Sequence, residues 1–164
     1  MSDSTKSSTL PSAETPNRAT ASCFCSAVQL SFPTTGPGIA NITICNCTDC
    51  RKITASMFAS NFSISDDYLI HERGQSNLKT YSTKHGVQSG KTMTNYFCQT
   101  CGTLMYRVGE RFPGWRILRL GTLDDLDLVE GVMKPRFEQF VKSRAGWLDG
   151  PNVEGVQRFE DGAF

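Results

Sequence analysis

Seven cysteines in three tight groups constrain this chain more than any other feature. Cys23 and Cys25 form C-x-C, Cys45, Cys47 and Cys50 form C-x-C-x-x-C, and Cys98 and Cys101 form C-x-x-C followed by Gly102. The count is odd, and the first residues lack the apolar centre of a secretory signal. Both facts argue against a disulfide framework. Cys23 and Cys25, like Cys45 and Cys47, are also too close to bridge internally without strain. Each pair is instead well placed to set two thiolates on one metal ion. In C-x-x-C-G a tight turn brings both sulfurs to one ion, and the glycine tolerates the close backbone.

Zinc prefers four ligands in a tetrahedron, so seven thiols divide as four plus three. A four-thiolate site is closed and structural. A three-thiolate site keeps one position for water, a thiol or a substrate oxygen, the usual mark of a catalytic ion. Spacing leaves the pairing open: Cys98 and Cys101 could join Cys23 and Cys25, or two of the central three. The first choice is the more parsimonious, because it leaves the central triplet intact on one loop. Two blander readings stand beside it. Both clusters could be purely structural, or one central cysteine could be a buried free thiol. Three thiolates outweigh the charge of the ion and quench its Lewis acidity. Activating water becomes harder and accepting an incoming thiolate easier, since sulfur is a soft ligand. That points to thiol addition or carbon–sulfur bond chemistry.

The rest of the chain reads as mainly β, with antiparallel sheets and short helical pieces. Strands are expected over Ala27–Phe32, Ile39–Cys45, Phe58–Ile64, Tyr68–His71, Leu78–Ser82, Thr92–Phe97, Thr103–Val108, Trp115–Gly121 and Phe137–Val141. In the second of these, Ala40, Ile42 and Ile44 would share one face, and Asn41 and Thr43 the other. Helical pieces are expected around Asp49–Ala55 and Leu123–Leu128. A length of 164 residues suggests one domain, here 21–164, after a disordered Ser/Thr/Pro-rich tail over 1–20. In the C-terminal stretch, Trp147 and Phe159 suggest packing on the body. A scattered net charge of +1 offers no electrostatic reason to expect nucleic acid. No stretch is apolar and long enough for a membrane span. A cytoplasmic protein is therefore expected; the sequence sets no oligomeric state.

The segments Ser22-Cys23-Phe24-Cys25-Ser26-Ala27-Val28, Cys45-Asn46-Cys47-Thr48-Asp49-Cys50-Arg51-Lys52 and Phe97-Cys98-Gln99-Thr100-Cys101-Gly102-Thr103 resemble the glutathione-dependent formaldehyde-activating enzyme family, to which centromere protein V also belongs. Gly121-Thr122-Leu123-Asp124-Asp125 and Lys142-Ser143-Arg144-Ala145-Gly146-Trp147 add to the likeness, which covers roughly residues 21–160. The resemblance implies antiparallel sheets stapled by two zinc ions. Cys23, Cys25, Cys98 and Cys101 would hold a structural zinc; Cys45, Cys47 and Cys50 would hold a catalytic one. It also implies glutathione as a possible co-substrate and S-hydroxymethylglutathione synthase-like or carbon–sulfur lyase activity. The rival reading is a zinc-stabilised binding module without catalysis. Two departures stand out: Asn46 occupies a position where family members often carry His, and Ser26 one where they often carry Gly.

Other residues carry less. Arg51 and Lys52 could offset the thiolates or meet the carboxylates of glutathione; the plain alternative is solvated charge on a short helix. Asp49 reads as a turn or cap residue. His71 reads as a strand residue, and His85 is a candidate acid or base near the zinc. Trp115 and Trp147 could wall the open site, though core packing is the simpler role. Asp124 and Asp125 read as a turn rather than a catalytic dyad.

Overall fold

Runs of β-branched and aromatic residues between Gly, Asn and Ser clusters build two sheets in the computed structural model, which describes residues 17–87 and 89–163. β1 (Arg18–Ser22), β2 (Gln29–Pro33) and β5 (Ile70–Arg73) form the smaller sheet, with β2 central and both pairings antiparallel. The larger sheet takes β3 (Ile39–Cys45), β4 (Ala59–Ser65), β6 (Leu78–Thr83), β7 (Met93–Cys98), β8 (Leu104–Gly109), β9 (Trp115–Arg119), β10 (Phe137–Gln139) and β11 (Gln157–Phe159). Its order is β11-β10-β3-β4-β9-β8-β7-β6. One short helix, α1 (Thr48–Thr54), follows β3.

Strand register separates the two faces of the larger sheet. Phe62, Leu118, Tyr106 and Tyr96 stand opposite one another across β4, β9, β8 and β7. They pack in the core with Leu30 and Phe32 of the smaller sheet and with Val28 just before β2, and the Phe32 and Phe62 rings lie 5.0 Å apart. Burying a side chain such as Phe62 stabilises the fold by roughly 1.5–3 kcal/mol. One residue along each strand the side chains reverse. The row Ser63, Ile117, Arg107, Asn95 and the pair Asn61, Arg119 therefore point to the opposite face. His71 of β5 joins the sheets through a 3.1 Å hydrogen bond with the Tyr106 hydroxyl.

Several expectations are corrected. The sheets are not purely antiparallel: β10 runs parallel to both β3 and β11. The simple alternation of β3 fails at Asn41, whose φ of 53° accompanies a register shift between Ala40 and Thr43. The bulge turns Ala40 to the side of Thr43, away from buried Ile42. β9 stops at Arg119, and Leu120–Thr122 form a 3-10 turn. β10 is cut to three residues by Phe140 in the left-handed region at φ 56°, and Val141–Ser143 form another such turn. The second helical piece is a 3-10 turn over Leu126–Glu130. β1 and β11 arise where no strand was expected. β1 starts at Arg18, so the end of the expected tail belongs to the folded body; residues 1–16 lie outside the described residues. Phe159 packs on Phe137 with ring centroids 6.2 Å apart, whereas Trp147 is 74% exposed and does not pack on the body.

Candidate functional site

The first thiol cluster staples two hairpin ends. Cys23 and Cys25 lie in the β1–β2 connection, Cys98 closes β7 and Cys101 sits in the β7–β8 turn. Ser26 N donates to Cys23 O at 2.8 Å, and Gly102 N to Cys98 O at 2.8 Å. Both turns need left-handed backbone. Gly102 takes φ 75° freely, while Ser26 takes φ 60° with a side chain present. Phe24 N donates to Thr103 Oγ1 at 3.1 Å, tying one turn to the other. Polar hydrogens face the sulfurs: Val28 N to Cys23 Sγ at 3.2 Å, and Asn77 Nδ2 to Cys98 Sγ at 3.1 Å. The Thr103 hydroxyl, first among several hydrogen bonds, holds the Cys101 thiol down at about 5.

The second cluster comes from one local segment. Cys45 ends β3, Cys47 is the N-cap of α1 and Cys50 lies in its first turn. Cys47 Sγ accepts from Cys50 N at 3.3 Å, so the cap itself brings the two sulfurs together. Hydrogen bonds from Cys45 and then Cys47, followed by the charges of Arg119 and Arg107, hold the Cys50 thiol well below the usual range.

Both clusters fit a metal ion. All four thiols of the first set, and all three of the second, lie within 4.8 Å of one another. A tetrahedral zinc with Zn–S of about 2.3 Å separates neighbouring sulfurs by about 3.8 Å. Here Cys23 and Cys25 are 3.6 Å apart, Cys25 and Cys98 3.7 Å, and Cys45 and Cys47 3.5 Å. The fold gathers Cys23, Cys25, Cys98 and Cys101 in one set and Cys45, Cys47 and Cys50 in the other, the pairing preferred above on parsimony.

The two clusters differ in access. Cys45, Cys47 and Cys50 line a cavity of about 590 Å³ on the polar face of the larger sheet, and no cysteine of the first set does. Trp115, Phe112, Met93 and Phe140 form apolar parts of its wall. Asp49, Asn61, Arg107 and Arg119 supply polar ones. Arg107 is only 3% exposed. Its guanidinium pairs with Asp49 at 2.7 Å, donates to Asn95 Oδ1 at 2.7 Å and stands 4.0 Å from Cys50 Sγ. Arg119, 6% exposed, donates through Nη1 to Asn61 Oδ1.

Sequence reasoning missed both arginines. The signal was present: each sits in an apolar run, Leu104-Met105-Tyr106-Arg107-Val108 and Ile117-Leu118-Arg119-Leu120. A charge inside such a run marks a strand buried on both faces. Other predicted residues fall elsewhere. Arg51 turns away from the cavity and donates to Ser143 O at 3.1 Å; Lys52 is exposed, and neither is a lining residue. His85 is exposed and off the lining, and His71 is on the far side against Tyr106. Trp115 walls the cavity; exposed Trp147 does not. Asp124 binds Thr20 and Ser22 at 2.6 and 3.0 Å, and Asp125 caps the following turn, so the two aspartates serve separate ends. Asn46 is fully buried, donating to Glu138 Oε1 and Gln139 O at 3.1 Å each, a link from the thiol loop to β10.

A mixed β scaffold around two thiol clusters that could each hold a metal ion, one of them lining a cavity, defines the class: a mainly β protein with candidate metal sites. A family model described as glutathione-dependent formaldehyde-activating enzyme matches residues 18–143, and the chain belongs to that family. A crystal structure of a Rhodobacter sphaeroides protein is similar, with TM-score 0.50 and 23% identity over 66% of this chain and 94% of that one; it bears on the fold alone. No curated protein matches the chain. No helix among the described residues is long and apolar enough to cross a membrane.

Proposed function

We propose that this protein is a zinc enzyme of carbon–sulfur bond chemistry, forming or breaking the C–S bond of a glutathione adduct or another thiol conjugate. The observation that carries this is the asymmetry of the two clusters: only the three-thiol set opens on the cavity. Cys23, Cys25, Cys98 and Cys101 would hold a structural ion, and Cys45, Cys47 and Cys50 a catalytic one. When bound there, zinc supplies a soft Lewis acid with affinity for sulfur. The chain's own residues position that chemistry. Asn46 anchors the thiol loop to β10, Arg107 holds Asp49 beside Cys50, and Trp115 and Phe112 give the cavity an apolar wall. In the forming direction the thiol sulfur bonds to an aldehyde carbon and the thiol proton ends on the aldehyde oxygen. No oxidant or reductant is needed. Family membership supports the thiol as glutathione.

The test is metal content of the purified protein and of Cys47→Ser, each then titrated with glutathione by calorimetry. Two zinc ions in the wild type, one in the variant, and a heat of binding lost with that ion are expected. Two firmly held ions with no response to any thiol would favour the binding-module reading instead.

A further inference from the structure

The cavity is far longer than the chemistry at its thiol end requires. Cys45 stands opposite Ala59, and the pairs that follow along β4 are Asn61 with Arg119, Ser63 with Ile117 and Ser65 with Trp115. Ala59 to Ser65 is a step of six residues. At about 3.3 Å per residue, Trp115 lies roughly 20 Å along the sheet from Cys45. Yet Cys45, Ile117 and Trp115 line one cavity of about 590 Å³, a size that holds a drug-sized molecule.

Polarity changes along that length. Asn61 and Arg119 lie nearer the thiols, Ile117 and then Trp115 beyond them. At the far end Gly109 clears space for two more apolar lining residues. A Cβ there would lie 3.0 Å from Met93 Cε and 3.7 Å from the Phe112 ring. Arg111 also lines this end, with its guanidinium 5.7 Å from the centre of the Phe112 ring. A further apolar surface stands at the thiols themselves. Phe140 packs against the cluster of Cys45 and Cys50 and lines the cavity. Its backbone is left-handed, with φ 56°, a costly conformation for a bulky residue and one that gathers at functional sites. Gly162 makes room for the ring, since a Cβ there would lie 3.2 Å from Phe140 Cζ.

An aldehyde as small as formaldehyde reaches none of the far wall. The charged ends of glutathione would lose water against Trp115, Met93 and Ile117, which offer no hydrogen bond in return from their apolar faces. We infer that the substrate is a thiol conjugate whose sulfur-bound carbon carries a bulky apolar group, alkyl or aromatic, seated along Ile117 and ending on Trp115, Met93 and Phe112. This rests on the reading of Cys45, Cys47 and Cys50 as the site for substrate sulfur. Phe140 meets the carbon beside that sulfur. In the forming direction the aldehyde carbon carries the apolar group, and the bond and proton changes are those already given.

The experiment is calorimetry on the zinc-loaded protein with glutathione and with its S-methyl, S-butyl and S-hexyl conjugates. Each buried methylene favours binding by up to about four-fold, so the hexyl conjugate should bind wild type at least about thirty-fold more tightly than the methyl one. Trp115→Ala should cut that ratio about ten-fold. Phe112→Ala, in the turn between β8 and β9, should cut it about three-fold and keeps the test open if the first variant does not fold. Equal affinity for the methyl and hexyl conjugates overturns the proposal. So does a hexyl preference that no folded variant reduces, because the alkyl chain would then bind elsewhere. Glutathione tests the sulfur reading by itself: equal binding to wild type and to Cys47→Ser sinks that reading, whatever the ratio. The hexyl-to-methyl ratio in wild type decides the apolar seat, whatever glutathione does.

Discussion

At the residue scale the grouping of the cysteines was legible from spacing, whereas the arginines showed only as charges inside apolar runs. Metal-binding thiols announce themselves by spacing, because turn geometry ties x-x or x between ligands to one ion. A lone arginine has no such rule, and its role depends on which neighbours the sheet register supplies. Arg107 shows the consequence. Its guanidinium is tied to Asp49 and Asn95 within a strand that buries it almost wholly. Substituting Arg107→Met strands Asp49, whose side chain is only 20% exposed, beside the thiol cluster. Breaking one side of a buried pair typically costs about 3 kcal/mol or more, whereas replacing both partners costs much less. Urea unfolding of Arg107→Met should show a loss of about 3 kcal/mol, with part of it recovered in the double variant carrying Asp49→Leu. A loss below about 1 kcal/mol for the single variant would mean that the pair is dispensable.

At the element scale, most strands of five to seven residues were readable, β1 excepted, and β3 was placed from end to end. What alternation could not show was the bulge at Asn41, an insertion of backbone geometry with no compositional mark. β10 was expected, though two residues too long, while three-residue β11 is too short for a period to display; the direction in which strands pair leaves no mark in alternation, so the parallel pairing was invisible too. The contact between β5 and β8 is likewise a product of folding, and it carries a pH dependence. Burial, helped by the positive charge of Arg116, holds the His71 imidazole below its ordinary value of 6.5. The unfolded chain then binds a proton near pH 6.5 while the folded chain still resists it. Stability from this group is thus fully present above pH 6.5 and is lost as the pH falls through that value toward the lower folded-state one. The melting temperature of wild type should drop more steeply below pH 6.5 than that of His71→Gln, which has nothing there to titrate. Parallel melting curves against pH for the two proteins would remove this role from His71.

For the whole molecule, the two thiol clusters differ in what they connect. Cys25 and Cys98 are 73 residues apart, and their set joins the β1–β2 connection of the smaller sheet to the end of β7 in the larger one. Cys45, Cys47 and Cys50 lie within one turn of chain. A cross-link restricts the unfolded chain in proportion to the logarithm of the loop it closes, so a distant clip stabilises far more than a local one. Loss of the first ion would also release the Phe24 to Thr103 contact and leave buried Cys23 and Cys98 without the ligand their hydrogen bonds prepare. Cys98→Ser should therefore lower the melting temperature by about 10 °C or more, using the few degrees per kcal/mol expected at this size. Cys47→Ser should cost about 3 °C or less and leave a folded chain with one ion fewer. Chelator titration of wild type should separate the same two events: an early ion whose release leaves the circular dichroism intact, and a later one whose release coincides with unfolding. Equal losses from the two substitutions, or a single unfolding step that takes both ions at once, would show that the cavity cluster is as much a structural staple as the other. The division of labour that links the fold to its chemistry would then be wrong.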